Sequence, residues 1–318
     1  MATAFVVGGC ASLHSGHGAY SQTYFPASHN WAFRRQYPET DHLFNAFDFG
    51  HASEYQALVT GASGAMLDSR GFARTMNVLR HPPSIPLEER AIGPDYVDLV
   101  PEIVAMFEWA HMLHRQIYDV LSDERIAPAD RSAQIQRLLA YYRSRPDLAL
   151  SAKPKGMELM EGQPYSLTFR HEAPRYNALI WSYHWLQMVS YDALLADTGR
   201  LARAAALHRA VEHFWAMNDS LGAGPSEMPM SAAIAPRFTE AYPEASAIFD
   251  NLHALHDVVS DILASSTLSQ RAKRTAVLAA AARYRDDTTD VMSIDEWKQM
   301  SMDMDVAKMG GGLPAPRQ

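Results

Sequence analysis

The strongest constraint on this chain is a proline-led stretch of about 21 residues that recurs along it. "PEIVAMFEWAHMLHRQIYDVL" begins at Pro101, "PRYNALIWSYHWLQMVSYDAL" at Pro174 and "PEASAIFDNLHALHDVVSDIL" at Pro243. In each, a histidine stands ten residues after the proline: His111, His184 and His253. Leu113, Leu186 and Leu255 follow two residues later, and Asp119, Asp192 and Asp261 eight residues later. "PETDHLFNAFDFGHASEYQAL", from Pro38, ends alike around His51 once about three extra residues are allowed before it. Proline lacks an N–H and its ring blocks the preceding turn, so it suits the first helical position and is excluded from the interior. None of the four stretches has an interior proline. They read as four equivalent long helices of an internal repeat.

Between them lie shorter amphipathic segments: "MLDSRGFARTMNVL", "PADRSAQIQRLLAYYRSR", "GRLARAAALHRAVEHFW" and "SQRAKRTAVLAAAARYR". Those after the second and fourth stretches carry polar residues on one face and apolar ones on the other, as covering helices do. The expected fold is all-α, a single domain of four helical hairpins, each a core helix plus a covering helix. Such hairpins form a bundle or ring with the core helices roughly parallel. Residues 1–36 lack helical periodicity and read as an extended arm. Residues 37–290 make up the helical domain, and 291–318 a methionine-rich, partly flexible tail ending in "MGGGLPAPRQ".

Charge and composition exclude several classes. A net charge of −8 argues against a nucleic-acid or anionic-membrane surface. No apolar run approaches the roughly 20 residues of a membrane helix. The single cysteine, Cys10, rules out an internal disulfide and a zinc–thiolate cluster. Its setting, "VVGGCAS", is similar to the lipobox of a bacterial lipoprotein, although "MATAFVVGG" is short and lacks a positive start. A periplasmic or cell-envelope protein with a lipid anchor at Cys10 is the first expectation, and a cytoplasmic one the alternative. No glycine-rich phosphate loop and no G-x-S-x-G nucleophile motif is present.

The repeat carries polar residues on what should be a buried face. With His51, His111, His184 and His253 aligned, Asp48, Glu108, Trp181 and Asp250 stand three residues earlier, and Glu54, His114, Gln187 and His256 three residues later. Residues three apart share a helical face. Four imidazoles at one level, with carboxylates a turn away, need protons or metal to be satisfied in an apolar core. A lone E-x-x-H arises often by chance, and a lone histidine is more often a hydrogen-bonded core residue than a ligand. Four in register make metal the better account. The bland alternative is a polar ladder that ties neighbouring hairpins together.

Glu108-x-x-His111 and Asp250-x-x-His253 resemble the paired motif of the carboxylate–histidine di-metal helical proteins, the ferritin-like and hemerythrin-like groups. His51 and His184 depart from the ferritin-like pattern, in which those helices supply glutamates. The resemblance is architectural and covers about 80 residues of core helix. It implies a metal site of His51, Glu108, His111, His184, Asp250 and His253. Glu54, His114, His256 and Asp257 would then act as proton shuttles or as groups orienting the ligands. Imidazole with carboxylate suits iron, one or two ions, with manganese, zinc or copper as alternatives.

The expected activity is oxygen-dependent oxidation of a small molecule, with a small-molecule substrate or electron donor as partner. Aromatic groups crowd the stripe: Phe47, Trp109, Tyr118, Trp181, Tyr183, Trp185 and Tyr191. They read first as core and second as electron relays. Two rivals stand beside the enzyme: a non-enzymatic metal carrier and a helical accessory or scaffold subunit. Met228, Met230, Met300, Met302 and Met304 form Met-x-Met patterns that suit copper(I) and favour a copper carrier. His208 and His213, on the third covering segment, are expected to face solvent or a partner.

Overall fold

The computed structural model describes residues 23–196, 199–219 and 224–316, and every regular element among them is helical. Lys155 and Val291 form an isolated β-bridge. Cys10 and its lipobox-like setting lie outside the described residues.

The four proline-led stretches are four helices of 22 residues, each starting at its proline: α2 (Pro38–Val59), α5 (Pro101–Ser122), α8 (Pro174–Leu195) and α11 (Pro243–Ala264). A short helix precedes each one: α1 (Ala32–Gln36), α4 (Pro94–Leu99), α7 (Thr168–Glu172) and α10 (Pro236–Ala241). One residue separates short helix from long. Tyr37, Val100, Ala173 and Tyr242 hold φ between −133° and −140° and ψ between 57° and 61°. A residue before proline is pushed out of the helical region by the ring, so the first helix must stop there and the second restart. Each hinge residue still donates its N–H to the short helix, as Tyr37 does to Phe33 and Val100 to Tyr96.

The covering helices are α3 (Phe72–Arg80, continuing a π-helical turn at Leu67–Gly71), α6 (Pro128–Arg143), α9 (Arg200–Asp219) and α12 (Gln270–Arg285). Each packs on the long helix before it in the chain. The long helices themselves form a four-membered bundle in which α2 and α5 each touch α8 and α11.

Their directions differ from the roughly parallel arrangement expected. Phe47 stacks on Tyr183 while Ser53, further along α2, meets Tyr176, earlier on α8, so these two run antiparallel. Phe107 against His256 and His114 against Phe249 give the same result for α5 and α11. The C-terminal halves of α5 and α8 instead meet each other, with Tyr118 on Tyr191. Two long helices therefore run up and two down. Close approach of α2 and α8 requires a glycine: a Cβ at Gly50 would lie 2.6 Å from the Tyr183 ring.

The chain ends also differ from expectation. Within the arm, Tyr24 and Phe33 are buried, and α1 is docked on α5. The tail forms α13 (Ile294–Asp303), started by a capping box between Ser293 and Glu296. It buries Trp297 and Met309, and Gly311 accepts the Trp185 indole N–H. Both segments read as loose because an apolar residue without periodicity gives no local sign of its partner.

Candidate metal centre

Counting from each helix-starting proline gives a different register from the one that aligned His51 with His111. The residues eighteen after the prolines are Gln56, Asp119, Asp192 and Asp261. Each accepts backbone N–H groups at the start of a short helix. Asp119 takes those of Trp31 and Phe33, Asp261 those of Leu167 and Phe169, Gln56 those of Asp95 and Tyr96, and Asp192 that of Phe238. The equivalence is functional, and it allows no three-residue insertion in the first repeat. His51 therefore shares a level with His114, Gln187 and His256, and the level below holds Asp48, His111, His184 and His253. Antiparallel packing then lets the upper level of one helix face the lower level of another.

The result is a buried chamber of six imidazoles, each at most 7% exposed. His51 Nε2 lies 3.2 Å from His184 Nε2. His256 completes a triad in which one ring nitrogen per residue lies within 4.8 Å of the others. His253 stacks on His184 at 4.1 Å, and His111 is 5.4 Å from the His256 ring. His114 adjoins His253, and its Nδ1 is hydrogen-bonded with the Tyr191 hydroxyl at 2.7 Å. Of the four expected imidazole ligands, His51 and His184 join the triad, whereas His111 and His253 border it. His256, expected as an accessory group, supplies the third donor.

Burial holds all six rings in the neutral form. His51 is lowered to about 4 and His253 to about 3, in each case chiefly by loss of hydration. His111, His114, His184 and His256 are held well below the usual imidazole value, by burial first and by the neighbouring imidazoles second. Neutral imidazole is the form that ligates metal. Seven ring nitrogens have no hydrogen-bond partner: both of His253 and of His256, and one each of His111, His114 and His184.

The carboxylates do not enter this group. Asp250 is bound by the Ser231 N–H and hydroxyl and by the Trp297 indole N–H. Glu108 is half-buried, and Asp48 and Glu88 are the charges that act on it. A three-residue step turns a side chain about 60° around the helix from the geometry of the α-helix, and in a tight bundle that rotation reaches a different neighbour. Glu54 accepts the Ser260 hydroxyl at 2.5 Å, and burial raises it to about 8. Asp257 accepts the Trp181 indole N–H at 3.1 Å and pairs with Arg170 at 3.5 Å.

Arg115 carried no signal in the sequence, yet it pairs with Asp48 at 2.9 Å. With Gln187, His111 and His114 these two residues line a cavity of about 10 Å³. The methionine patterns diverge: Met228 and Met230 are buried, while Met302 is 59% exposed. His208 reaches solvent beside Glu212, while His213 is half-buried, its Nε2 bonded to the Gly310 carbonyl. No helix among the described residues is long and apolar enough to cross a membrane. Comparison with protein-family models, curated proteins and solved structures finds no match to this chain, so the chamber has to be understood from its own chemistry.

Proposed function

We propose that this chain is a metal-dependent oxidoreductase whose ion is held by His51, His184 and His256. One observation carries the reading: three neutral imidazoles from three helices converge, with two donor atoms 3.2 Å apart. Nitrogen donors about 2.0–2.1 Å from a tetrahedral ion lie about 3.3 Å from one another. A polar ladder would pair His51 with His184 but leave both ring nitrogens of His256 unpaired, each at a cost of about 1–3 kcal/mol, and an ion held by the triad takes one of them.

Imidazole donors suit copper, iron, zinc or nickel. With Glu108 and Asp250 outside the group, the case for carboxylate-bridged iron weakens. Copper gains, because the Irving–Williams order favours it at nitrogen sites. Asp48 is already paired with Arg115, so the second position, near His111 and His114, is the weaker one. A bound ion would supply one-electron redox chemistry. The protein's own part is to exclude water, keep the imidazoles neutral, and hold a proton on Glu54 near neutral pH. Ser260 links that carboxyl to the His256 carbonyl.

The carrier reading draws on the small size of the adjoining cavity. About 10 Å³ admits roughly one water. Reconstitution with copper, iron or zinc, followed by elemental analysis, tests the site. One ion or more per chain is expected, falling at least tenfold in His256→Ala but not in His208→Ala. Equal content in these proteins removes the metal reading. Reductant-supported oxygen uptake by the loaded protein separates enzyme from carrier: uptake supports the enzyme, and its absence leaves the carrier.

A further inference from the structure

One helical turn before His184, Trp181 forms the inner wall of a cleft of about 430 Å³. That volume falls in the range of small-molecule sites, roughly 300–1,000 Å³. We propose that this cleft binds a flat aromatic carboxylate, its ring on the apolar lining and its carboxylate on Arg175 and Asn177.

The charges around the cleft support an anion. Asp68 accepts the N–H groups of Arg175 and Tyr176, so its carboxylate is already engaged in capping α8. Arg170 is paired with Glu161 at 3.1 Å and with Asp257 at 3.5 Å. Arg175 forms no ion pair among the described residues, and its guanidinium lies 3.7 Å over the Phe72 ring. One cation at the cleft is thus left without an acidic partner.

The second polar group is more telling. Asn177 is 3% exposed, lines the cleft, and its side-chain amide makes no hydrogen bond among the described residues. The amide is not sealed from water but opens to the cleft, where a ligand would take the hydrogen bonds that water otherwise makes. Arg175 offers a charge-assisted donor and Asn177 a neutral amide, and both line the cleft. The remaining lining is largely apolar. Trp181 carries the Arg170 guanidinium 4.5 Å over its ring, and Pro174 and Met217 border the same space. A planar ring recovers this area at little entropic cost.

The location adds a functional consequence. The cleft lies on α8, the helix that carries His184, and the Trp181 indole is bonded to Asp257, the residue after His256. That the ligand is the substrate rests on the metal-site reading; that it binds does not.

Calorimetric titration of the full chain with benzoate, phenylacetate and indole-3-acetate tests the proposal, with indole-3-acetamide and acetate as controls. At least one of the three aromatic acids should bind below 5 mM by the affinity scale for small ligands, roughly −3 kcal/mol or better. The amide should bind at least tenfold more weakly than indole-3-acetate, and acetate should not register. Arg175→Ala should weaken binding at least tenfold, and Ala178→Phe, which fills the cleft, should abolish it with the helical circular dichroism unchanged. No binding by any of the three acids overturns the proposal, as does equal affinity for acid and amide or an unaltered Arg175→Ala titration. His256→Ala protein should bind the acid as the parent does. Metal loss there with binding retained separates failure of the metal reading from failure of this one.

Discussion

His253 shows most directly what burial does to an imidazole in this protein. Neither ring nitrogen has a hydrogen-bond partner, and the ring stacks on His184 at 4.1 Å. Its folded value is about 3, below the 6.5 of the free side chain. A lowered histidine contributes fully above its unfolded value, and that contribution is lost as pH falls from 6.5 toward 3. His253→Phe keeps the stacked ring and removes the titrating group. In metal-free protein, the stability of wild type relative to this variant should fall by about 2 kcal/mol between pH 7 and pH 5. Urea unfolding of both proteins at the two pH values measures it. Parallel curves would show that His253 does not titrate across folding.

At the scale of elements, the long helices are tied together by their ends. Asp119, on α5, holds the start of α1, which leads into α2, while Gln56, on α2, holds the start of α4, which leads into α5. Asp261 and Asp192 do the same between α11 and α8. The tie is reciprocal because antiparallel helices place one C-terminus beside the other's N-terminus. It also stabilises strain. Trp31 and Leu167, the residues before α1 and α7, sit at φ 70° and 66°, a conformation that costs an L-residue roughly 1–2 kcal/mol. Asp119→Ala and Asp261→Ala should each destabilise by about 1–3 kcal/mol, through loss of two hydrogen bonds to backbone N–H groups at the start of a short helix. An exposed aspartate such as Asp98 is the control. Thermal unfolding reads the difference, and midpoints equal to that of Asp98→Ala would show that these carboxylates do not hold the short helices.

At the scale of the molecule, the tail completes the core. Trp297 and Met309 are fully buried, and the Trp297 indole N–H is donated to the Asp250 carboxylate on α11. Deleting residues from 291 onward removes both side chains and leaves Asp250 with Ser231 alone. The burial lost with the tryptophan and methionine amounts to about 4–6 kcal/mol at 25 cal/mol per Å². A truncated chain should melt well below the full one, with metal capacity reduced only as far as the fold is lost. An unchanged melting point would mean the tail packs without stabilising.

The four long helices were legible in the sequence because their cause is local. Proline cannot enter a helix interior, the residue before it cannot stay helical, and both facts act within two positions of the ring. The presence of histidines on the buried faces was legible for the same reason. Which imidazoles meet was decided only by tertiary structure. Helix direction is set by contacts between residues far apart in sequence, such as Asp119 with Phe33. Once His51 is placed at the level of His256 by the register of the capping residues, antiparallel packing brings both to His184. The destinations of Glu108 and Asp250 were hidden likewise. A carboxylate's role depends on which donor reaches it, and for Asp250 those donors, Ser231 and Trp297, lie on other elements. Periodicity reports which face of a helix is buried; only the packed bundle determines what that face is buried against.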